Sequence, residues 1–183
     1  PERGSVKRDR TFVFAGRFVR VKNIPRLIRA FLAAAPADFR LELIGDGPER
    51  QNLESRIQNL GTGGRVVIRP PLDAGGLRRR IASAHAFVLP SLSDVSPNVI
   101  LDCIAAGTPF LLTRETGFYE TLKDVGLFVD PLDEDDIAAK LRLLLDAESY
   151  AAYRARLARF SNVRTWEEVA DEWLARLRDA TSF

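Results

Sequence analysis

Sulfur and imidazole are scarce in this chain. Its 183 residues include no methionine, one cysteine, Cys103, and one histidine, His85. A lone cysteine supports neither an internal disulfide framework nor a cysteine-based metal site, and it fits a reducing, cytoplasmic compartment. A lone histidine argues against a Ser-His-Asp triad or a His-rich metal centre. We therefore read His85 as structural and Cys103 as core packing. No apolar run approaches the roughly 18 residues of a transmembrane helix, and no secretory leader pattern is visible. The missing methionine and the start at Pro1 lead us to expect a piece of a longer protein.

Charge of one sign is also in short supply. The net charge of +2 is too small to argue for nucleic acid or an anionic membrane as partner. Its distribution is less even: residues 1–40 carry ten Lys/Arg against three Asp/Glu, whereas residues 124–148 carry two against eight. An anionic ligand would be drawn towards the first of these regions. With 46% hydrophobic content, the length suits one well-buried domain.

What is present is an alternation of short apolar runs with amphipathic ones. Residues 1–10 are charged and aperiodic, as in a linker remnant. Thr11–Ala15, Arg40–Ile44, Arg65–Ile68, Ala86–Leu89, Phe110–Leu112 and Gly126–Val129 read as strands. Helices are expected over 23–35, 49–60, 72–83, 133–145, 149–160 and 165–178, with a short one or a turn at 116–122. Trp166 and Trp173 fall on one side of the last helix as packing anchors. Such alternation implies βαβ units and a parallel sheet covered on both faces. We expect a single Rossmann-like, doubly wound α/β domain of about six strands over residues 11–183, ending in helices. Ligands of such sheets bind outside the carboxyl ends of the strands. Gly16-Arg17, Gly45–Pro48 and the Asp94 loop all fall there.

The most informative stretch runs from Phe87 to Phe110, F-V-L-P-S-L-S-D-V-S-P-N-V-I-L-D-C-I-A-A-G-T-P-F. Pro90 ends a strand, Ser96 suits an N-cap with Pro97 at the first helical position, and Gly107 suits a left-handed stop before Pro109. The helix between is apolar on most of its circumference and should be buried. Two acids, Asp94 and Asp102, interrupt it eight residues apart. A helix start favours phosphate, and Asp102 lies about 9 Å along the axis from Ser96. The two acids could then reach opposite ends of one nucleotide sugar, one of them accepting hydrogen bonds from ribose hydroxyls. Spacing alone leaves a plainer reading open, in which Asp102 faces solvent and Asp94 caps the helix.

Arg17 and Lys22 bracket the turn after the first strand, where Gly16 lets the backbone approach a ligand. An Arg fork and a Lys point charge would together neutralise a diphosphate. They are equally readable as solvated cations beside Arg20 and Arg26.

Taken together these segments resemble one family. A-G-R-F-V-R-V-K-N is similar to its strand-G-R-x-x-x-x-K segment, L-I-G-D-G-P-E to its second strand and turn, and V-L-P-S-L-S-D-V-S-P-N-V-I-L-D-C-I-A-A-G-T-P-F to a block in which two Glu are followed by A-x-G-x-P. The chain resembles the C-terminal, donor-binding domain of a GT-B glycosyltransferase of the group 1, family 4 type, whose members are retaining enzymes. The resemblance implies that Gly16, Arg17 and Lys22 bind the donor diphosphate. It puts Asp94 in the place of the first family Glu, the catalytic position near the donor sugar, and Asp102 in that of the second, on the ribose. Backbone groups around Val95, Ser96 and Asn98 would contact sugar and phosphate. No cofactor or metal is expected, and the partner implied is an N-terminal acceptor domain of the same parent, without which this half should be inactive. Both Glu are Asp here, and the Gly-Phe usual after the first is Val95-Ser96. A catalytically degenerate nucleotide-sugar-binding or scaffold domain is therefore the alternative. A signalling receiver shares the alternation, but its first strand would end in acids rather than Ala15-Gly16-Arg17.

Overall fold

The computed structural model describes residues 8–160. The predicted helix over 165–178, with Trp166 and Trp173, lies outside the described residues.

Six strands form one parallel sheet: β1 (Thr11–Ala15), β2 (Arg40–Ile44), β3 (Val66–Arg69), β4 (Ala86–Leu89), β5 (Phe110–Thr113) and β6 (Leu127–Val129), in the order β3-β2-β1-β4-β5-β6. This is the doubly wound order expected from the alternation, with strands within a residue or so of their predicted ends. The order reverses between β1 and β4, where Phe12 lies opposite Leu41 on one side and Ala86 on the other.

The helices are α1 (Ile24–Ala34), α2 (Arg50–Asn59), α3 (Ala74–Ser83), α4 (Val99–Ala106), α5 (Tyr119–Leu122), α6 (Glu134–Leu145) and α7 (Ala147–Arg159). Right-handed crossovers put α1 and α2 on one face, where α6 returns to pack on α1, and α3 beside α4 on the other. Carboxylates start three of them. Asp73 accepts from Gly76 N–H, Asp133 from Asp135 and Asp136 N–H, and Asp146 from Ser149 N–H. Between the faces lie Phe12, Phe14, Phe31, Leu41, Leu43, Phe87 and Phe110, at most 1% exposed, each contributing about 1.5–3 kcal/mol by its removal from water.

The amino edge of the sheet is closed by polar groups, nearly all of them hydrogen-bonded, the buried Arg8 Nε excepted. Residues 8–10 are joined to it. The Arg8 guanidinium donates to the carbonyls of Ala82, Ala84, Ala106 and Gly107 and to Thr108 Oγ1, at 2.7–3.0 Å, and so ties together the ends of α3 and α4. His85 lies between Phe12, Phe39 and Tyr150, stacked on the last at 4.2 Å, and its Nε2 meets the Leu144 carbonyl at 2.7 Å. A carbonyl only accepts, so Nε2 carries a proton. Burial holds the ring's pKa below its ordinary value. The structural reading of His85 agrees with this setting. Cys103 is fully buried, and burial pushes its thiol well above its usual pKa.

The predicted start and burial of α4 need correction. Ser96 is not its N-cap, nor Pro97 its first residue: the helix begins at Val99, after Asn98, whose side chain makes no cap. The preceding loop is held extended. Asp94 N–H donates to Glu115 O and Gly117 N–H to Val95 O, a short parallel bridge between Asp94 and Thr116. The first helical turn then closes with tight bonds from Ile100 to Pro97 and from Leu101 to Asn98. Nor is α4 buried all round. Ile100 and Cys103 are, but Leu101 is 55% exposed, on the same outward side of the helix as Ala105. Gly107 has the expected left-handed conformation, φ 61°.

Candidate functional site

At the carboxyl edge, between β1 and β4, the chain leaves the sheet through a single 3₁₀ turn, Arg20–Lys22, before α1. Lys22 Nζ donates to Asp94 Oδ2 at 2.5 Å, and Ser91 Oγ lies 3.3 Å from the same oxygen. The pair is well covered, with side chains 21% and 12% exposed. Leu92 N–H donates to Val21 O at 2.7 Å, so the two loops are also joined through their backbones. Asp94 therefore sits in a loop clamped on both sides, by the turn after β1 and by the segment after β5.

The ammonium of Lys22 has three donors and Asp94 takes one. At the start of α4, among the described residues, the N–H groups of Val95, Ser96 and Val99 make no hydrogen bond. Those of Asp94 and Asn98 are used, by Glu115 O and Ser96 O. Of the three residues expected to present backbone groups, Val95 and Ser96 have N–H groups without a partner among the described residues and Asn98 does not. Asn98 instead contributes a carbonyl to the first turn of α4 and lies with its Oδ1 3.3 Å from Ser96 Oγ.

Gly16 and Arg17 fall on the other side of the turn. A Cβ on Gly16 would lie 3.9 Å from Lys22 Cε, so the glycine abuts the lysine stem. Both residues line a cleft of about 350 Å³ with Ile44, Gly45, Pro71 and Leu72 at the ends of β1–β3. Arg17 is exposed, and its guanidinium has no hydrogen-bond or ion-pair partner among the described residues. Asp102 is half-buried on α4 and makes no hydrogen bond to Lys22, Arg17 or Asp94. The structure thus brings Gly16, Arg17, Lys22 and Asp94 into one contiguous rim and sets Asp102 on the neighbouring helix.

The Gly45–Pro48 turn, a candidate binding loop by position, serves chiefly to pack against the β1 exit. Gly16 N–H donates to Ile44 O, Phe18 N–H to Asp46 O, and Phe18 is fully buried beneath it. A Cβ at Gly45 would lie 2.0 Å from Gly16 O, which only glycine avoids.

Two residues of the rim were not singled out for function from sequence. Ser91 is fully buried against Asp94. Asn23 has φ 56°, is 7% exposed, and donates its side-chain amide to Pro90 O and Pro131 O. The available signal was an Asn between a basic residue and a helix start, a common seat of left-handed backbone. Among the described residues, no group of three or more His, Cys, Asp or Glu is placed to hold a metal ion. No described helix is long and apolar enough to cross a membrane.

The strand order, with Gly16, Arg17, Lys22 and Asp94 gathered at the carboxyl ends of the strands, defines a Rossmann-like, doubly wound α/β domain. Comparison with known proteins sharpens this. The family profile described as Glycosyl transferases group 1 matches residues 1–161, and the chain belongs to that family. The lipopolysaccharide core biosynthesis glycosyltransferase LpsE of Rhizobium meliloti is 37% identical over 145 residues, 78% of this chain and 41% of its own length. An exopolysaccharide phosphotransferase of Streptomyces coelicolor is 31% identical over 93% of this chain, but only 19% of its own length. Among solved structures, sucrose-phosphate synthase of Thermosynechococcus elongatus superposes with a TM-score of 0.74 at 27% identity, over 95% of this chain and 47% of that one. The Anabaena protein HepE, solved with UDP and glucose, reaches 0.78 at 18% identity, over 91% and 48%, and shows likeness of fold alone. The chain spans well under half the length of the curated relatives it matches, and corresponds to the C-terminal half of a GT-B fold.

Proposed function

We propose that this chain is the donor-binding half of a retaining glycosyltransferase that moves a sugar from a nucleoside diphosphate to an acceptor. The observation that carries this reading is the Lys22–Asp94 pair at the switch point, with the N–H groups of Val95, Ser96 and Val99, which have no partner among the described residues, following in the same loop and at the start of α4. Lys22, Arg17 and those N–H groups offer fixed positive charge to the diphosphate as it leaves, the main electrostatic demand of breaking a glycosyl bond to a nucleotide. Gly16 lets the phosphates approach the backbone, and the cleft lined by Ile44, Pro71 and Leu72 beside Arg17 is the place for the nucleoside. Asp102 accepts from the ribose hydroxyls. Asp94, held by Lys22 and Ser91, faces the sugar. Acceptor binding falls to an N-terminal half of the parent, which works in the cytoplasm, and transfer requires both halves. No metal takes part in this scheme.

Calorimetric titration of the 183-residue chain with UDP, GDP and ADP tests the proposal. Binding by at least one, with competition by the corresponding nucleotide sugar, is the expected result. No heat from any of the three at millimolar concentration would overturn it. Turnover by the chain alone would refute the assignment of acceptor binding to another half.

A further inference from the structure

Lys22 and Asp94 can meet only if the turn after β1 is held against the loop after β4, and the backbone bond between Leu92 and Val21 is the one main-chain link between them. Most of the remaining restraint comes from one side chain. Asn23 follows Lys22 directly and is the only non-glycine residue with positive φ among those described. Its amide nitrogen donates to Pro90 O at 3.0 Å and to Pro131 O at 2.7 Å. Its Oδ1 accepts from Arg26 at 3.1 Å, and the same guanidinium nitrogen reaches Pro131 O at 2.9 Å. Pro90 ends β4 and Pro131 follows β6, so one amide spans the exits of three strands.

The chemistry of this position is narrow. Left-handed backbone favours Gly, Asn or Asp. Two buried carbonyls call for a group with two donors, which Asn has, Asp lacks when ionised, and Gly lacks altogether. Leaving those carbonyls bare inside the protein carries a desolvation cost. Helix geometry asks for none of this. Asn23 makes no side-chain bond to the free N–H groups of α1, so it is not acting as an ordinary N-cap.

We infer that Asn23 is a positioning residue for the phosphate-binding site, acting through Lys22: by clamping the turn after β1 to the carbonyls of Pro90 and Pro131, it sets the height of the Lys22 ammonium against Asp94. The inference rests on the donor-site reading for its functional sense, but its geometric content can be tested separately. The 72-residue gap between the two charged partners is bridged at the strand exits, where a small rotation of the turn would swing a long lysine side chain by several times as much.

A double-mutant cycle reads the coupling. UDP affinity of the wild type is compared by calorimetry with Asn23→Gly, Lys22→Ala and the double variant. Glycine keeps the left-handed backbone, so only the clamp is lost. Asn23→Gly should weaken binding about tenfold when Lys22 is present and by less than about twofold when it is not. Equal losses in both backgrounds would assign Asn23 a general structural role and overturn the inference. If the wild type binds none of UDP, GDP and ADP, the donor-site reading fails, and a crystal structure of Asn23→Gly decides the geometric claim. There Lys22 Nζ should move beyond the roughly 4 Å ion-pair limit from Asp94; an unchanged pair overturns it. Should the glycine variant not fold, NMR on the wild type should detect scalar couplings from the Asn23 amide to the carbonyl carbons of Pro90 and Pro131. Their absence would equally sink the inference.

Discussion

The two edges of the sheet treat polar groups in opposite ways. At the amino edge, Arg8 spends five hydrogen bonds on the ends of α3 and α4, His85 is boxed by three rings, and Tyr150 donates to the His85 carbonyl. At the carboxyl edge, Arg17 has no partner among the described residues and three N–H groups stand open at the start of α4. Groups satisfied within the protein have their stabilising role already filled. Groups left open in one place, on a rim that shape and charge have organised, are there for something else.

Arg8→Ala should have the largest effect, on stability alone. It strands several partly buried acceptors and unties two helices, at about 3 kcal/mol, or roughly 6–12 °C in Tm for a chain of this size. Nucleotide affinity of the folded protein should not change. A loss of affinity as large as that of a carboxyl-edge variant would erase the contrast between the edges.

Lys22→Ala should weaken nucleoside diphosphate binding by about ten- to a hundredfold, the scale of a lost charged hydrogen bond. Calorimetry reads the loss, and thermal melting checks that Asp94, left without its cation, lowers Tm by less than Arg8→Ala does. Arg17→Ala should lower the same affinity about tenfold and leave Tm within a degree or so, because the side chain is exposed and contributes nothing to folding that melting could register. A cost in Tm without a cost in affinity would mean that Arg17 belongs with the satisfied groups.

The smallest effect concerns acid. Burial lowers the folded pKa of His85, so the folded state keeps the ring neutral while the unfolded chain protonates near its ordinary value of 6.5. The stability tied to the neutral ring is fully present above that value and is lost as pH falls through it towards the lowered folded pKa. Chemical denaturation at pH 7.5 and 5.5 should show this decline, and His85→Gln should flatten it. Nucleotide affinity, measured on folded protein, should be indifferent to the same substitution.

Much of the fold was legible because strand and helix periods differ so plainly. T-F-V-F-A and F-V-L-P admit one reading, and Gly107 and Asp133 mark their helix ends by well-understood chemistry. Of the candidate site, the sequence marked the charges that the structure gathers on one rim, Arg17, Lys22 and Asp94. What escaped depends on which strands become neighbours. The pairing of Asp94 with Thr116 delays α4 past Ser96 and Pro97, and the carbonyls that give Asn23 its purpose come from residues 67 and 108 positions away. Local spacing contains neither fact. Leu101 was misjudged for a related reason: it shares the outward stripe of α4 with Ala105, opposite Ile100 and Cys103, which an apolar run does not reveal.

The placement of β1 in the middle of the sheet bears on how the chain is made. As residues leave the ribosome in order, β1 can pair with β2 as soon as the latter emerges, but its second edge must wait for residues 86–89. Until then Lys22 has no counter-charge and the turn that bears it has nothing to rest on. A product that stops short of Asp94 therefore cannot form the pair at the carboxyl edge, however well its first strands have joined.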